Sequence, residues 1–167
     1  LANLDHAAGG RAEAALSTLV DATAARDAGI IGALLLAQTG DRGGAYVAFL
    51  GAADRESFGA LAGLCLLEAS RVAARPEEAS YALDQALARA PSLTAARLGR
   101  LQASLAAGRR KDALADAQHY EALSRGAERF AACERLARLF LDQGYHAEAQ
   151  RYFERARRDR RGSAEAL

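Results

Sequence analysis

The feature of this sequence that most constrains its fold is a three-residue pattern that recurs four times. Each copy has an alanine, an apolar residue four positions later, and another small or aromatic residue three positions after that. The copies are Ala45-Phe49-Ala52, Ala79-Leu83-Ala86, Ala113-Ala117-Tyr120 and Ala149-Phe153-Ala156. Their first alanines are 34, 34 and 36 residues apart. A nearly constant spacing of this size is typical of a chain built from stacked copies of one structural unit.

Each copy forms a stripe on one side of a helix, because positions i, i+4 and i+7 lie on the same helical face. The leading alanine allows a second helix to approach closely, and the residue one turn later fills the groove beside it. Glycine stands five positions before the alanine in three copies, as Gly40, Gly108 and Gly144. Glycine supplies the backbone freedom needed to end one helix and reverse direction. The stripes therefore predict repeat-packing positions in a stack of helical hairpins, since one hairpin cannot bury its apolar face alone.

The composition indicates an all-α protein. The chain is 51% hydrophobic but only 6% aromatic, and its abundant alanine, leucine, arginine and glutamate favour helices. No segment alternates apolar and polar residues for long enough to predict a strand. Helices are predicted over residues 28–39, 45–53, 58–73, 77–90, 94–107, 111–124, 128–142 and 147–159, after two earlier helices within residues 1–24. Position 1 is leucine, which indicates a piece of a longer protein or a processed chain. No apolar run approaches the roughly 18 residues of a membrane span.

The stretch from Cys133 to Ala156, CERLARLFLDQGYHAEAQRYFERA, combines these features in one unit. Leu136, Ala137 and Phe140 precede its glycine turn, and the fourth stripe follows it. In this order the stretch resembles the tetratricopeptide repeat (TPR), a helix-turn-helix unit of about 34 residues. The resemblance implies a right-handed α-solenoid of TPR-like repeats. The units are expected at residues 27–57, 58–91, 92–127 and 128–161, after a partial repeat at residues 1–26 and before a frayed tail at residues 162–167.

The first helices of the units depart from the family pattern. Where that pattern has its first large aromatic residue, this chain has Gly29, Gly63, Arg97 and Cys133. We expect the helices at the two glycines to pack more closely, or at a different angle, than in a typical unit. In the unit at residues 92–127, a shift of one residue fits better and turns Leu98, Leu101 and Leu105 inward. The shift turns Arg97 and Ser104 away. The helix at residues 28–39 is apolar nearly all round, so burial on more than one side is expected.

The resemblance also implies a binding site, because TPR arrays hold partner segments in a concave groove lined by their first helices. Carrying the groove positions of the family onto this sequence gives Ile30, Leu34, Leu61, Leu64, Glu68, Leu98, Gln102, Glu134 and Arg138. This set is apolar in the first half of the chain and polar or charged toward its end. An extended or helical protein segment with apolar anchors is the expected ligand. If the register is one residue off, Ile30, Leu34, Leu61 and Leu64 are core residues instead.

No residue pattern indicates an enzyme, a cofactor or a metal site. The three histidines, His6, His119 and His146, fall in different repeats. Cys65 and Cys133 lie two repeats apart, and at about 8–10 Å per packed helix they exceed the roughly 7 Å limit for a disulfide. Both are predicted to be small core residues. Residues 40–44 lack the lysine and hydroxyl side chain of a phosphate-binding loop.

The charge is distributed unevenly, although the net value is only +1. Residues 1–84 carry 6 basic and 11 acidic side chains, a net of −5, and residues 85–167 carry 16 and 10, a net of +6. The basic half either attracts an acidic partner, a membrane surface or nucleic acid, or its arginines form helix-surface pairs such as Glu154 with Arg158. Pentatricopeptide arrays, near relatives of the TPR, read RNA with polar side chains. The corresponding positions here are aliphatic, as at Ile30, Leu64 and Leu98, so specific nucleic-acid recognition is not expected.

Together these patterns predict a protein-interaction scaffold that is part of a larger protein and has no enzymatic activity. The content of arginine and alanine favours a bacterial source, in the cytoplasm or the periplasm. Two alternatives remain open. The repeats could hold neighbouring domains of an enzyme or a transcription regulator. They could also serve self-association through the repeat ends, or assembly of an envelope or export machine.

Overall fold

The computed structural model describes residues 24–125 and 127–165, without the side chains at position 127 and positions 161–165. All regular secondary structure in this part of the chain is helical. The helices are α1 (residues 24–38), α2 (Arg42–Arg55), α3 (Gly59–Val72), α4 (Pro76–Arg89), α5 (Thr94–Ala106), α6 (Arg110–Leu123), α7 (Ala127–Asp142) and α8 (His146–Glu165). The predicted helices before residue 24, together with His6, lie outside the described residues.

The helices pack in successive hairpins, α1 with α2, α3 with α4, α5 with α6 and α7 with α8. Each hairpin stacks on the next, so that α2 contacts α3, α4 contacts α5 and α6 contacts α7. The result is the expected right-handed α-solenoid. The first helices α3 and α5 also contact each other, which places the first helices on the inner, concave side of the stack.

The turns inside the hairpins follow the glycine pattern. Gly40, Gly108 and Gly144 have φ angles of +87°, +70° and +77°, as predicted for residues that end one helix and reverse the chain. The hairpin of α3 and α4 turns differently. Pro76 is the first residue of α4, and the Glu78 carboxylate accepts hydrogen bonds from two backbone N–H groups ahead of that helix.

The alanine-headed stripes form most of the core. Ten of their twelve residues are buried, Ala79 is half-buried, and Phe153 is 40% exposed. Phe153 therefore departs from its expected packing role, because no further hairpin covers it within the described residues. Its neighbour Tyr152 points inward instead and stacks on Phe140 with ring centroids 5.6 Å apart.

Glycine at position 63 permits the close packing that was predicted there. A Cβ at Gly63 would lie 2.7 Å from the Ala90 Cβ and 3.3 Å from the Ala86 carbonyl oxygen. Only a residue without a side chain fits between α3 and the end of α4. The two cysteines are buried and free, as expected of small core residues.

Three expectations about the helices are corrected. The one-residue shift in α5 is right for Leu101 and Leu105, which are buried, and for Leu98, which packs against the core. It is wrong for the other two residues, because Ser104 is also buried and the Arg97 side chain is only 11% exposed beside Asp116. Helix α1 is not buried on several sides. Its fully buried residue is Ala33, whereas its larger side chains Ile31, Leu34 and Leu35 are 56%, 45% and 56% exposed. The predicted frayed tail is helical to Glu165, since no proline interrupts α8.

Candidate functional site: the concave groove

The nine predicted groove residues lie on the four first helices, and none of them is fully buried. Leu34 on α1 and Leu64 on α3 are each 45% exposed. Ile30 and Leu61 are half-buried beside them. The alternative register, which makes all four residues part of the core, does not describe these exposed leucines. Leu34 and Leu64 are therefore accessible, whereas Ile30 packs against a core cluster, as the alternative register predicts for that residue.

A cleft of about 500 Å³ opens on this side between α3, α5 and α7. The predicted residues Leu98 and Gln102 line it, whereas the remaining seven lie outside it on their helices. Leu67, Leu83 and Tyr120 contribute further apolar or aromatic surface. The lining of the cleft is thus partly apolar. Small residues of α5, such as Gly99 and Ala103, also line it and leave space in the cleft.

Two arginines at the rim of the cleft were missed by the sequence analysis. Arg71 lies one turn beyond Glu68 on α3, and its Nη1 is 2.5 Å from the Glu68 Oε1. Arg135 on α7 donates a hydrogen bond to the Tyr120 hydroxyl at 3.3 Å. The available signal was the i+3 spacing of Arg71 from Glu68, which places both on one face of α3. Arg135 and Tyr120 belong to two different hairpins, so no local sequence pattern predicts their contact.

Behind the groove, the convex side of α5 carries a buried ionic network. Arg100 binds both carboxylate oxygens of Asp116, with distances of 2.8 Å from Nε and 2.6 Å from Nη2. Arg97 Nη1 lies 3.3 Å from the same carboxylate, and Arg100 Nη1 lies 3.0 Å from Asp84. The hydrogen bonds that Arg100 donates to Asp116 raise the pKa of the Arg100 guanidinium above its ordinary value. This network links α4, α5 and α6 in the middle of the stack.

Ion pairs between hairpins use much of the basic charge in the carboxyl half. Arg110 on α6 contacts the buried Glu148 on α8, and this hydrogen bond lowers the pKa of the Glu148 carboxyl. Glu121 on α6 pairs with Arg129 on α7 at 3.2 Å and with Arg155 on α8 at 2.5 Å. Part of the arginine excess therefore joins one hairpin to the next.

The predicted helix-surface pair of Glu154 with Arg158 does not form as expected. Glu154 accepts a hydrogen bond from Gln150 at 3.1 Å, one turn earlier on α8. The Glu154 carboxylate is thus oriented toward the start of the helix rather than toward its end.

Both cysteine thiols of the chain are buried. Burial raises the pKa of the Cys133 thiol to about 11, with smaller contributions from Glu121 and Asp159, and burial also raises the pKa of Cys65. His119 is exposed, and its Nδ1 lies 2.8 Å from the Ala115 carbonyl oxygen. Within residues 24–125 and 127–165, no group of three or more His, Cys, Asp or Glu side chains could hold a metal ion. No helix in the same part of the chain is long and apolar enough to cross a membrane.

Among solved structures, the chain is similar to the crystal structure of MamA, a protein that contains TPRs. The match covers 84% of this chain and 81% of that chain, with a TM-score of 0.62 and 16% sequence identity. The fold is TPR-like. No protein-family model and no curated protein sequence matches the chain.

The TPR-like fold accounts for the geometry of the groove. Its first helices face inward, so the cleft between α3, α5 and α7 lies on the concave side of a TPR-like stack. A surface of this kind can bind a ligand through shape, apolar contacts and rim charges.

Proposed function

We propose that this chain is a protein-interaction scaffold that binds a segment of a partner protein in its concave groove. The observation that supports the proposal most strongly is the exposure of Leu34 and Leu64, each 45%, on the inner helices α1 and α3. Isolated leucines on a surface are ordinary, but Leu64 and Leu98 occupy equivalent positions on successive first helices, and Leu98 lines the cleft. A TPR-like fold is in general a scaffold for binding rather than a catalyst.

The chemistry of the groove indicates the kind of segment that fits. Leu34, Leu64 and Leu98 offer apolar contacts, and complete burial of a leucine side chain contributes about 1.5–3 kcal/mol. Toward α7 the rim carries Arg135 and Arg138, and Arg138 is 70% exposed even though it lies 3.8 Å from Glu134. A segment with apolar anchors near α1 and α3, followed by acidic residues near α7, would complement this arrangement.

Peptide selection tests the proposal and does not require the identity of the partner. Peptides selected from a random displayed library on the wild-type protein are expected to contain apolar anchors. Their affinities are then measured by fluorescence anisotropy for wild type, Leu64→Glu, Leu98→Glu and Val47→Glu. Val47 is 67% exposed on α2, a second helix, and serves as the control.

We expect the two groove variants to bind at least about tenfold more weakly, because a carboxylate in an apolar contact costs more than about 1.4 kcal/mol. Val47→Glu should retain wild-type affinity. Equal affinities for all four proteins, or a library that yields no binding peptide, would remove the proposed groove function.

A further inference from the structure

One of the four alanine-headed stripes carries its bulky side chain at a different position. The third stripe position is a tyrosine in this copy and an alanine in the others: Tyr120 on α6, against Ala52, Ala86 and Ala156. The second position of the same copy is the small residue Ala117. The bulk has therefore moved by three residues, to a neighbouring position on the same face of the helix.

This exchange brings a polar group of a second helix into the concave cleft. Tyr120 is only 8% exposed, and its ring belongs to the core cluster of α5 to α8. It also lines the cleft that opens between α3, α5 and α7. The Tyr120 hydroxyl accepts a hydrogen bond from Arg135 Nη1 on α7 at 3.3 Å. A fixed phenol group thus contacts an exposed arginine at the wall of the groove.

The positive charge of Arg135 is not offset inside the cleft. Among the described residues, no aspartate or glutamate lines it. Arg71, the other arginine of the lining, pairs with Glu68 at 2.5 Å. Arg100 and Arg110, which lie outside the lining, contact carboxylates as well. The side chain that carries an uncompensated charge into the cleft is therefore the one that Tyr120 contacts.

Together the two side chains can donate several hydrogen bonds to one ligand group. The Tyr120 oxygen accepts the bond from Arg135, so the phenol hydrogen can still be donated to another acceptor. The guanidinium retains further N–H groups beside the one that Tyr120 accepts. Hydrogen bonds of this kind are strongest when the acceptor is an anion. One positive charge matches a carboxylate, whereas a phosphate group carries about two negative charges at neutral pH.

The surroundings indicate that an acidic side chain, rather than a chain end, supplies this carboxylate. Leu98, which is partly buried against the core, lines the same cleft and offers a contact for an apolar anchor. Groove positions continue on both sides of the cleft, with Leu64 on α3 and Arg138 on α7. A segment that follows the groove therefore passes through the cleft.

We infer that Tyr120 and Arg135 form a carboxylate-binding subsite, which takes one aspartate or glutamate side chain of the bound segment next to an apolar anchor. Arg135 supplies the charge. Tyr120 donates a hydrogen bond and also holds the guanidinium at the wall of the cleft. The inference rests on the proposed groove function and names the two residues that select the acidic side chain.

A double-mutant cycle between protein and peptide tests the subsite. The tightest peptide from the library selection is synthesised with an amidated carboxyl terminus, and each acidic residue is replaced in turn by its amide, Glu by Gln or Asp by Asn. Fluorescence anisotropy measures the affinity of each peptide for wild type, Arg135→Gln, Tyr120→Phe and Arg151→Gln. Arg151 is exposed on α8, at the position equivalent to Val47, and is the charge-matched control.

We expect Arg135→Gln to weaken binding of the acidic peptide at least about tenfold, because a charge-assisted contact is lost. Tyr120→Phe retains the buried ring and should weaken the same peptide about threefold or more. For one of the amide-substituted peptides, both variants should bind within about twofold of wild type, because its partner group is already absent. Arg151→Gln should bind every peptide like wild type.

Three results would overturn the subsite and leave groove binding intact. They are selected peptides without an acidic residue, an Arg135→Gln effect that is equal for acidic and amide-substituted peptides, and a Tyr120→Phe variant that binds like wild type. Far-UV circular dichroism verifies that the variants are folded. A library that yields no binding peptide removes the groove function and the subsite together, so the two failures are distinguishable.

Discussion

At the scale of single residues, the least expected arrangement is the arginine pair around Asp116. Arg97 occupies the position at which the TPR pattern has a large aromatic residue, and its side chain is only 11% exposed. The Asp116 carboxylate receives hydrogen bonds from Arg97 and Arg100, which offset the cost of removing these charges from water. The Nε of Arg97 is buried and has no hydrogen-bond partner within the described part of the chain. The network therefore depends strongly on the one carboxylate that holds it together.

Replacing that carboxylate should destabilise the protein. Asp116→Ala leaves two arginines without their buried partner, and we expect a loss of about 3 kcal/mol in the free energy of unfolding. Asp112→Ala, one turn earlier on α6, is the control, because Asp112 is 66% exposed and lies 3.7 Å from Arg109. Its expected effect is below about 0.5 kcal/mol. Urea unfolding followed by circular dichroism measures both values, and similar losses in the two variants would contradict this role of Asp116.

At the scale of helices, the close approach of α3 to the end of α4 depends on the missing side chain of Gly63. Glycine inside a helix ordinarily lowers helix stability relative to alanine by roughly 0.5–1 kcal/mol. At position 63 this cost is offset by packing, since a methyl group would lie 2.7 Å from the Ala90 Cβ. Gly32 on α1 has no such neighbour, and a Cβ there would have no heavy atom within 4 Å.

The same substitution should therefore have opposite effects at the two positions. Gly63→Ala is expected to lower the free energy of unfolding by about 1–3 kcal/mol, because the helices must separate. Gly32→Ala is expected to raise it by about 0.5–1 kcal/mol, because alanine is the better helix former. Thermal and urea unfolding of the two variants measure the difference. If Gly63→Ala instead raised the free energy of unfolding, α3 and α4 would separate without a loss of stability, which contradicts the expectation.

At the scale of the whole molecule, arginines at the turn edge join each of two hairpins to the next one along the chain. Arg42 donates to the carbonyl oxygens of Val72 and Ala73 at the end of α3, at 3.2 Å and 3.1 Å. Two repeats later, Arg110 occupies the equivalent position and binds Glu148. Because each hairpin contacts only its neighbours, such links contribute directly to the cohesion of the stack.

The link between Arg110 and Glu148 predicts a dependence of stability on pH. Arg110 holds the pKa of Glu148 below its ordinary value of 4.5 in the folded protein. The folded state therefore binds this proton less tightly than the unfolded state does. The stabilisation is present above the unfolded pKa and is lost as pH falls through the folded pKa, from about pH 5 downward.

The Glu148→Gln variant lacks this titrating carboxyl. We expect its Tm to be lower than that of wild type at pH 7, and to fall less steeply than the wild-type Tm as the pH is lowered. Glu154→Gln, on the exposed side of α8, is the control and should follow wild type. Differential scanning calorimetry at a series of pH values measures the slopes. Parallel curves for wild type and Glu148→Gln would rule out the proposed contribution of Glu148.

The sequence by itself determined the class of fold and most of the helices. The bounds of α3 to α7 agree with the predicted helices within one residue, and the turn glycines at positions 40, 108 and 144 have the predicted positive φ. These features follow from short-range physics, because helix periodicity, helix propensity and glycine at a turn act within a few residues. The resemblance to the TPR pattern added the expected groove positions, such as Leu34 and Leu64, which the structure leaves accessible.

Only the tertiary structure decided which faces of these helices are covered. Phe49 and Phe153 occupy equivalent positions, yet they are 2% and 40% exposed, because a hairpin packs against the first and none of the described residues covers the second. Arg97 turns inward because Asp116, 19 residues away, supplies its charge partner. Tyr152 rather than Phe153 joins the core because Phe140 on α7 offers a ring on which it stacks. Burial depends on contacts between elements that are distant in sequence, and a local pattern does not contain them.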